Sequence, residues 1–300
     1  MFRVTQFNIL AVKCSLTKYF PYACKKNQFW DPLTFPDRLN WELRGQLLLK
    51  QLEKTKSDIA CLCEVDNPDF FILEGFDFHF QSRPGRNEGC LILWRKSRFA
   101  LIIGSEASLE VQATSRVATS IVLRDLKTDR RIRVVGAHFY WDAASNLQLE
   151  ESRSIMSFLN TLEPFPTIIC ADINNTRNSK TFRQITEQGG FKDCFTLAGE
   201  ISPEFTSVVP DIWRKNGEGA LEFQKGRRSE IDFIFLKGPI KSANCRVEVS
   251  GSLLTGSQGL VSRSVGEMPS RSDAVPAEEG IPNDFHGSDH LPVVCEVSLV

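Results

Sequence analysis

The chain has 300 residues, 42% of them hydrophobic, and a formal net charge of −1. That is enough apolar material for a large core, and the near-neutral balance excludes a protein that coats nucleic acid through many Lys and Arg, though not a local basic cleft. No apolar run approaches the ~20 residues that span a bilayer, and Met1-Phe2-Arg3-Val4 already has strand character rather than that of a basic leader.

In chain order, strand-type runs fall at residues 2–7, 59–63, 90–94, 120–123, 132–137, 167–170, 231–236 and 291–297. Many are almost continuously apolar, which predicts strands buried on both faces. Apolar residues recur near 3.6 spacing through 38–54, as Leu39, Leu43, Leu47, Leu48 and Leu52, and predict a helix there. Helices are also expected over 147–162 and 180–188, the latter with Ser179 as N-cap. Strands mixed with amphipathic helices predict an α/β sandwich. Residues 250–284 are rich in Ser, Gly, Pro and Glu and read as a mobile insertion loop within one domain spanning 1–300; residues 215–229 read as a second exposed loop. The nine cysteines show no CxxC pair and no zinc-ligand spacing. They are expected to be reduced, mostly buried thiols in a cytosolic or nuclear protein.

Several of these runs end in a polar group able to do chemistry. Glu64 closes Ile59–Cys63; a carboxylate at a strand end suits Mg²⁺, which takes one or two carboxylates and keeps several waters. Asp172 and Asn174 follow residues 166–170 at a spacing that points both the same way on extended chain, so one can orient water while the other donates to phosphoryl charge. His138 ends the 132–137 run. Asp232 stands in an otherwise apolar strand and needs a partner, because an unpaired buried charge is costly; His290, in Ser288-Asp289-His290, can be that partner. Each signal alone is ordinary strand-end or turn chemistry. Their recurrence in one chain points to a shared polar, metal-binding pocket.

The order Asn8, Glu64, His138, Asp172-Ile173-Asn174, Asp232 and Ser288-Asp289-His290 resembles the endonuclease/exonuclease/phosphatase superfamily. Arg38-Leu39-Asn40-Trp41-Glu42-Leu43-Arg44, Asp58–Asp66, Glu88–Phe99, His138–Asp142 and Phe205-Thr206 look like its deadenylase branch, which includes carbon-catabolite-repression deadenylases, nocturnin, angel proteins and the 2′-phosphodiesterase. The resemblance implies a four-layered sandwich of two mixed β-sheets packed face to face and flanked by helices, as in deoxyribonuclease I. It implies Glu64 as principal Mg²⁺ ligand (Mn²⁺ serving in its place), with Asn8 and Asp289 completing or supporting the metal site. Asp172 would orient or deprotonate water, Asn174 would stabilise the five-coordinate phosphorus, and His138 would hold a phosphate oxygen. His290, paired with Asp232, would stabilise the transition state or act as base.

Three departures stand out: Cys63 where the family has Gln, Ala171-Asp172-Ile173-Asn174 where it has Gly-Asp-Phe-Asn, and Arg116 where related deadenylases carry Asn. The first two leave the catalytic atoms unchanged. Arg116 favours an extra phosphate or a different base contact, and Phe205 is the candidate for stacking on a base. The implied activity is a 3′→5′ exoribonuclease of poly(A)-deadenylase type. The alternative is a phosphatase or phosphodiesterase on a small nucleotide, such as an NADP-like 2′-phosphate, a 2′-5′ oligoadenylate or a cyclic phosphate end. Expected partners are an RNA 3′ end or nucleotide and, with no leucine-rich repeat in the chain, a protein adaptor for recruitment to mRNA; no membrane partner is expected.

Overall fold

The computed structural model describes residues 1–12, 41–209, 212–215, 221–224, 227–249 and 286–300. One sheet orders six strands as β16 (Ile240–Val247), β17 (Val293–Leu299), β1 (Phe2–Asn8), β2 (Ile59–Val65), β4 (Gly89–Arg95) and β3 (Phe76–Ser82). The other runs β10 (Lys192–Asp193), β15 (Asp232–Lys237), β9 (Thr167–Asp172), β8 (Arg131–His138), β7 (Arg116–Asp125) and β5 (Phe99–Leu101), with β6 (Ala107–Val111) also paired to β7. The helices are α1 (Trp41–Thr55), α2 (Leu147–Thr161), α3 (Lys180–Arg183) and α4 (Cys194–Ala198).

Alternation along the strands builds the layers. Val4, Ile59, Ile92, Ile121, Val134, Ile168 and Ile234 point between the sheets and form the central core. On the outer face of the six-stranded sheet, Leu48 and Leu52 of α1 cover Phe7, Leu62 and Leu91. On the other outer face, Ile155 and Met156 of α2 cover Val135, Ile169 and Phe235. Helix, sheet, sheet, helix is the expected four-layered order.

Strand direction decides where the polar ends go. β1 and β2 run parallel, as do β8 and β9, whereas β17 is antiparallel to β1 and β15 antiparallel to β9. The C-terminal ends of β1, β2, β8 and β9 therefore meet the N-terminal ends of β15 and β17 at one end of the sandwich. In register, Asp172 lies between His138 on β8 and Asp232 on β15.

Ser179 caps α3, its Oγ accepting from the Phe182 N–H at 3.1 Å, and the helix opens into a π turn over Gln184–Gln188. The loop expected at 215–229 is corrected in part. β13 (Leu221–Gln224) pairs with β12 (Ile212–Lys215), and β14 (Arg227–Ser229) pairs with β11 (Ser207–Val209). The rest of that loop, residues 38–40 of the first helix and the insertion expected at 250–284 lie outside the described residues. Four unforeseen strands are sheet edges, β3 and β16 of one sheet and β5 and β10 of the other; along β3 and β16 one side faces solvent and the continuous apolar run disappears. Among the described residues no helix is long and apolar enough to cross a membrane.

Candidate active site

Asn8 at the end of β1 joins the two sheets. Its Nδ2 donates to Glu64 Oε1 at 3.1 Å and to Asp172 Oδ2 at 2.8 Å, while its Oδ1 accepts from the Leu10 N–H at 3.0 Å. That last bond fixes the amide orientation, so Asn8 presents donors to the carboxylates. Glu64 also accepts from the Ala11 N–H at 3.1 Å. It sits where the β2–β4 register slips, with φ of 60°. Leu10, Ser115 and Asn174, beside the same pocket, have φ of 56°, 52° and 49°. Such left-handed backbone is costly for residues with a Cβ, and here it gathers where side chains must be aimed.

On the second sheet, His138 Nε2 lies 3.6 Å from Asp172 Oδ2 and 3.7 Å from Glu64 Oε1. The Asn174 amide nitrogen is 3.1 Å from that Nε2 and donates to the Phe139 carbonyl at 3.1 Å. The Asn174 N–H itself donates to Asp172 Oδ1 at 2.8 Å. Asp232 found the partner its burial demanded, with His290 Nδ1 2.7 Å from Asp232 Oδ2. Thr206 Oγ1 donates to the same oxygen at 2.8 Å, and Gln6 Nε2 to Oδ1 at 3.4 Å. His290 Nε2 then stands 3.9 Å from Asp172 and 4.0 Å from Asp289.

Burial and neighbours push the two imidazoles apart. Desolvation, then the charges of Arg116 and His290, hold His138 well below the usual histidine range. Burial would lower His290 too, but the carboxylates of Asp232 and Asp289 outweigh it and hold it well above that range. His138 is therefore neutral and His290 cationic. Burial first, and then Asp232, raise Asp172 to about 7; burial likewise raises Asp289.

Arg116, the residue expected to contact an extra phosphate or a base, is buried in β7, and its Nη1 lies 2.9 Å from His138 Nδ1. A guanidinium can only donate, and the Asn174 amide nitrogen is likewise a donor at Nε2, so both ring nitrogens face donors and a neutral imidazole accepts from one of the two. Phe205 is half-buried, with the Arg228 guanidinium 5.4 Å from its ring centroid. Its neighbour Thr206 is the residue bonded to Asp232.

Around these groups is a layer that the sequence left unmarked. Arg44 of α1 is buried and donates to the carbonyls of Ile9 and Gly287, each at 2.8 Å, and of Leu10 at 2.5 Å. It ties the segment after Asn8 to the segment before His290. Ser288 Oγ donates to the Asn8 carbonyl at 2.7 Å and accepts from the His290 N–H at 3.1 Å. A Cβ on Gly287 would lie 2.6 Å from the Arg44 carbonyl oxygen, so glycine is needed for this close approach. Gln148 of α2 donates to the Tyr140 and Asn174 carbonyls at 2.7 and 2.9 Å, supporting the His138 and Asn174 loops. A buried polar residue at a core position of a predicted helix is the signal that would have found Arg44 and Gln148.

Among the described residues one group, Asp172, Asp232 and His290, offers ligand atoms within 4.8 Å of one another, but Asp232 is hydrogen-bonded to His290 and a cationic imidazole does not ligate. Glu64, joined to Asp172 through the Asn8 amide, and Asp289, 4.0 Å from His290 Nε2, add carboxylate oxygens at the same pocket. Oxygen donors of this kind fit a hard divalent cation such as Mg²⁺.

The model of the Endonuclease/Exonuclease/phosphatase family matches residues 6–290. The chain is 23% identical to human 2′,5′-phosphodiesterase 12 over 99% of its own length and 51% of that protein's. It therefore spans about half the length of that relative. It is 21% identical to the CCR4-Not complex 3′-5′-exoribonuclease subunit Ccr4 of Debaryomyces hansenii, over 71% of this chain and 34% of the other. Among solved structures, ANGEL2, a 2′,3′-cyclic phosphatase in complex with adenosine-2′,3′-vanadate, aligns with a TM-score of 0.65 at 16% identity, over 99% of this chain and 95% of that one. The four-layered fold is shared.

Proposed function

Because the chain belongs to the endonuclease/exonuclease/phosphatase family, we propose that it is a Mg²⁺-dependent phosphodiesterase, a 3′→5′ exoribonuclease of deadenylase type. The observation that carries this reading is the meeting of Asn8, Glu64, His138, Asp172, Asn174, Asp232 and His290, from the ends of both sheets, in one hydrogen-bonded cluster. Ccr4's name as a 3′-5′-exoribonuclease supports the choice of substrate.

Glu64 and Asp289 would hold the cation, and Asn8 would steady Glu64 and Asp172 with its amide donors. A divalent ion bound there supplies charge neutralisation at phosphoryl oxygens and lowers the pKa of coordinated water. Asp172 is poised near neutrality to orient an in-line water and take its proton. His138 and the Asn174 amide beside it would meet a phosphoryl oxygen and share the developing charge. His290, kept cationic by Asp232, faces the same region and stabilises the transition state. Arg116, in contact with His138 Nδ1, holds the imidazole in place, which makes it a positioning residue.

A second reading, hydrolysis of a small nucleotide phosphate, is favoured by Arg116. Its Nε is buried with no hydrogen-bond partner among the described residues, as suits a site built around an additional anionic acceptor. The names 2′,5′-phosphodiesterase 12 and 2′,3′-cyclic phosphatase lean the same way.

Incubation with labelled poly(A), mixed-sequence RNA and NADP⁺, with Mg²⁺ or with EDTA, separates the two. A ladder on poly(A), abolished by EDTA, is the expected result. Inorganic phosphate from NADP⁺ with intact RNA would move the assignment to the second reading, and no product from folded protein with Mg²⁺ would sink both. Arg116→Asn is expected to lower kcat on the order of 10²-fold, the cost of a misplaced group at the reacting centre. An unchanged kcat and substrate profile would remove Arg116 from the site's chemistry.

A further inference from the structure

A cluster of three thiols sits on the six-stranded sheet, where Cys295 stands next to Val294 and pairs with Val4 rather than with the Asn8 end of β1. The β16–β17 pairing carries a bulge: Ala243 faces Glu296 and Arg246 faces Val294, so Asn244 and Cys245 together oppose Cys295. Asn244 takes φ of 52°, and both carboxylate oxygens of Glu200 clamp the turn, accepting from the N–H groups of Asn244 and Cys245 at 2.8 and 2.7 Å. Cys194, the first residue of α4, packs over the same point, and the thiols of Cys194, Cys245 and Cys295 interact with one another.

The three differ in exposure. Cys194 and Cys295 are buried in the core between the sheets, whereas Cys245 is half-buried at the edge strand. At the bulge the ladder is interrupted and neither Asn244 nor Cys245 has a regular partner, yet the Cys245 thiol still reaches those of Cys194 and Cys295. Three small core residues would pack equally well as Ala, Val or Ser. What packing does not explain is a half-buried thiol in contact with a second, buried one across the bulge.

We infer that Cys245 is an oxidation site for hydroperoxides, with Cys295 as its resolving thiol. The Cys245 thiolate attacks the O–O bond; an S–O bond forms, the O–O bond breaks, and the leaving hydroxide is protonated to water. Cys295 sulfur, losing its proton, then attacks the sulfenic sulfur and displaces a second hydroxide, which becomes water. Two thiols and one peroxide thus give one disulfide and two waters. The reactive form is accessible: hydrogen bonds from Cys194 and then Cys295 bring Cys245 down to about 5 against the opposing effects of burial and Glu200.

The test uses the full chain reduced in EDTA, exposed to a few equivalents of hydrogen peroxide, quenched with iodoacetamide and mapped by mass spectrometry. The expected product is a Cys245–Cys295 bridge, with two thiols lost per chain and the remaining cysteines alkylated. Cys245→Ser should slow thiol loss at least tenfold while melting like the wild type under reducing conditions. Cys295→Ser should leave Cys245 as a dimedone-reactive sulfenic acid. A wild-type Cys245–Cys194 bridge, first oxidation at another cysteine, or one slow rate shared by all thiols would overturn the inference. Wild-type mapping decides even if a variant fails to fold.

Discussion

Asp172→Asn is expected to lower kcat on the order of 10³-fold with little change in KM, the range for removing a positioned general base. The carboxylate has Asn8 on one oxygen, the Asn174 N–H on the other, and both imidazoles within 3.9 Å. An amide keeps the shape but cannot accept a proton, so binding survives while chemistry fails. A value within tenfold of wild type on any substrate that the enzyme turns over would remove Asp172 as base. A stability signature accompanies the loss. The folded Asp172 carboxyl is raised from 3.8 to about 7, so between those values the folded state binds the proton that the unfolded state has released. In EDTA, wild-type stability relative to Asp172→Asn therefore falls as pH climbs from about 4 to about 7 and is level on either side. Chemical denaturation of both proteins across that range reads the difference, and a rising difference would contradict the burial argument.

Arg44→Met is expected to destabilise the fold by about 3 kcal/mol, because three buried carbonyls lose their donor at once. For a protein of this size that is a fall in Tm on the order of 5–10 °C. Arg44 reaches Ile9, Leu10 and Gly287 and also lies 5.3 Å from the Trp41 ring centroid. It fixes the separation between Asn8 and His290, so activity should fall along with Tm. Arg44→Lys keeps the charge with a single donor head and should fall between. If Arg44→Met melts like the wild type, the two segments are held by other contacts.

How much of this was legible in the sequence depended on how each residue advertises itself. Glu64 and Asp172 end apolar runs, an ordinary position for one carboxylate that became a signal only through its recurrence along the chain. Asp232 was legible by its cost, since an acid within an apolar strand implies a partner, and His290 supplies it. Arg44 was hidden because an arginine on an amphipathic helix reads as its wet face, yet this one is buried. Arg116 was picked out as a substrate contact, but its burial was not legible: β7 begins at Arg116, earlier than its apolar stretch suggested, which puts the side chain beside His138. The edge strands β3 and β16 lacked the continuous apolar pattern that marked the central ones, and the bulge holding Cys245 follows from that relaxed patterning.

The bond from Ser288 to the Asn8 carbonyl spans 280 residues of sequence, and β1 has β17 as one of its two ladder neighbours. During synthesis β1 must wait for β17, on the scale of tens of seconds at ribosomal speeds. The cut-capable constellation cannot close before that docking, because His290 and Asp289 arrive with it. A nascent chain still on the ribosome therefore lacks the closed cluster until residues 286–300 have docked. The onset of hydrolysis in a refolding experiment should trail the appearance of β structure and coincide with the joining of these two distant strands.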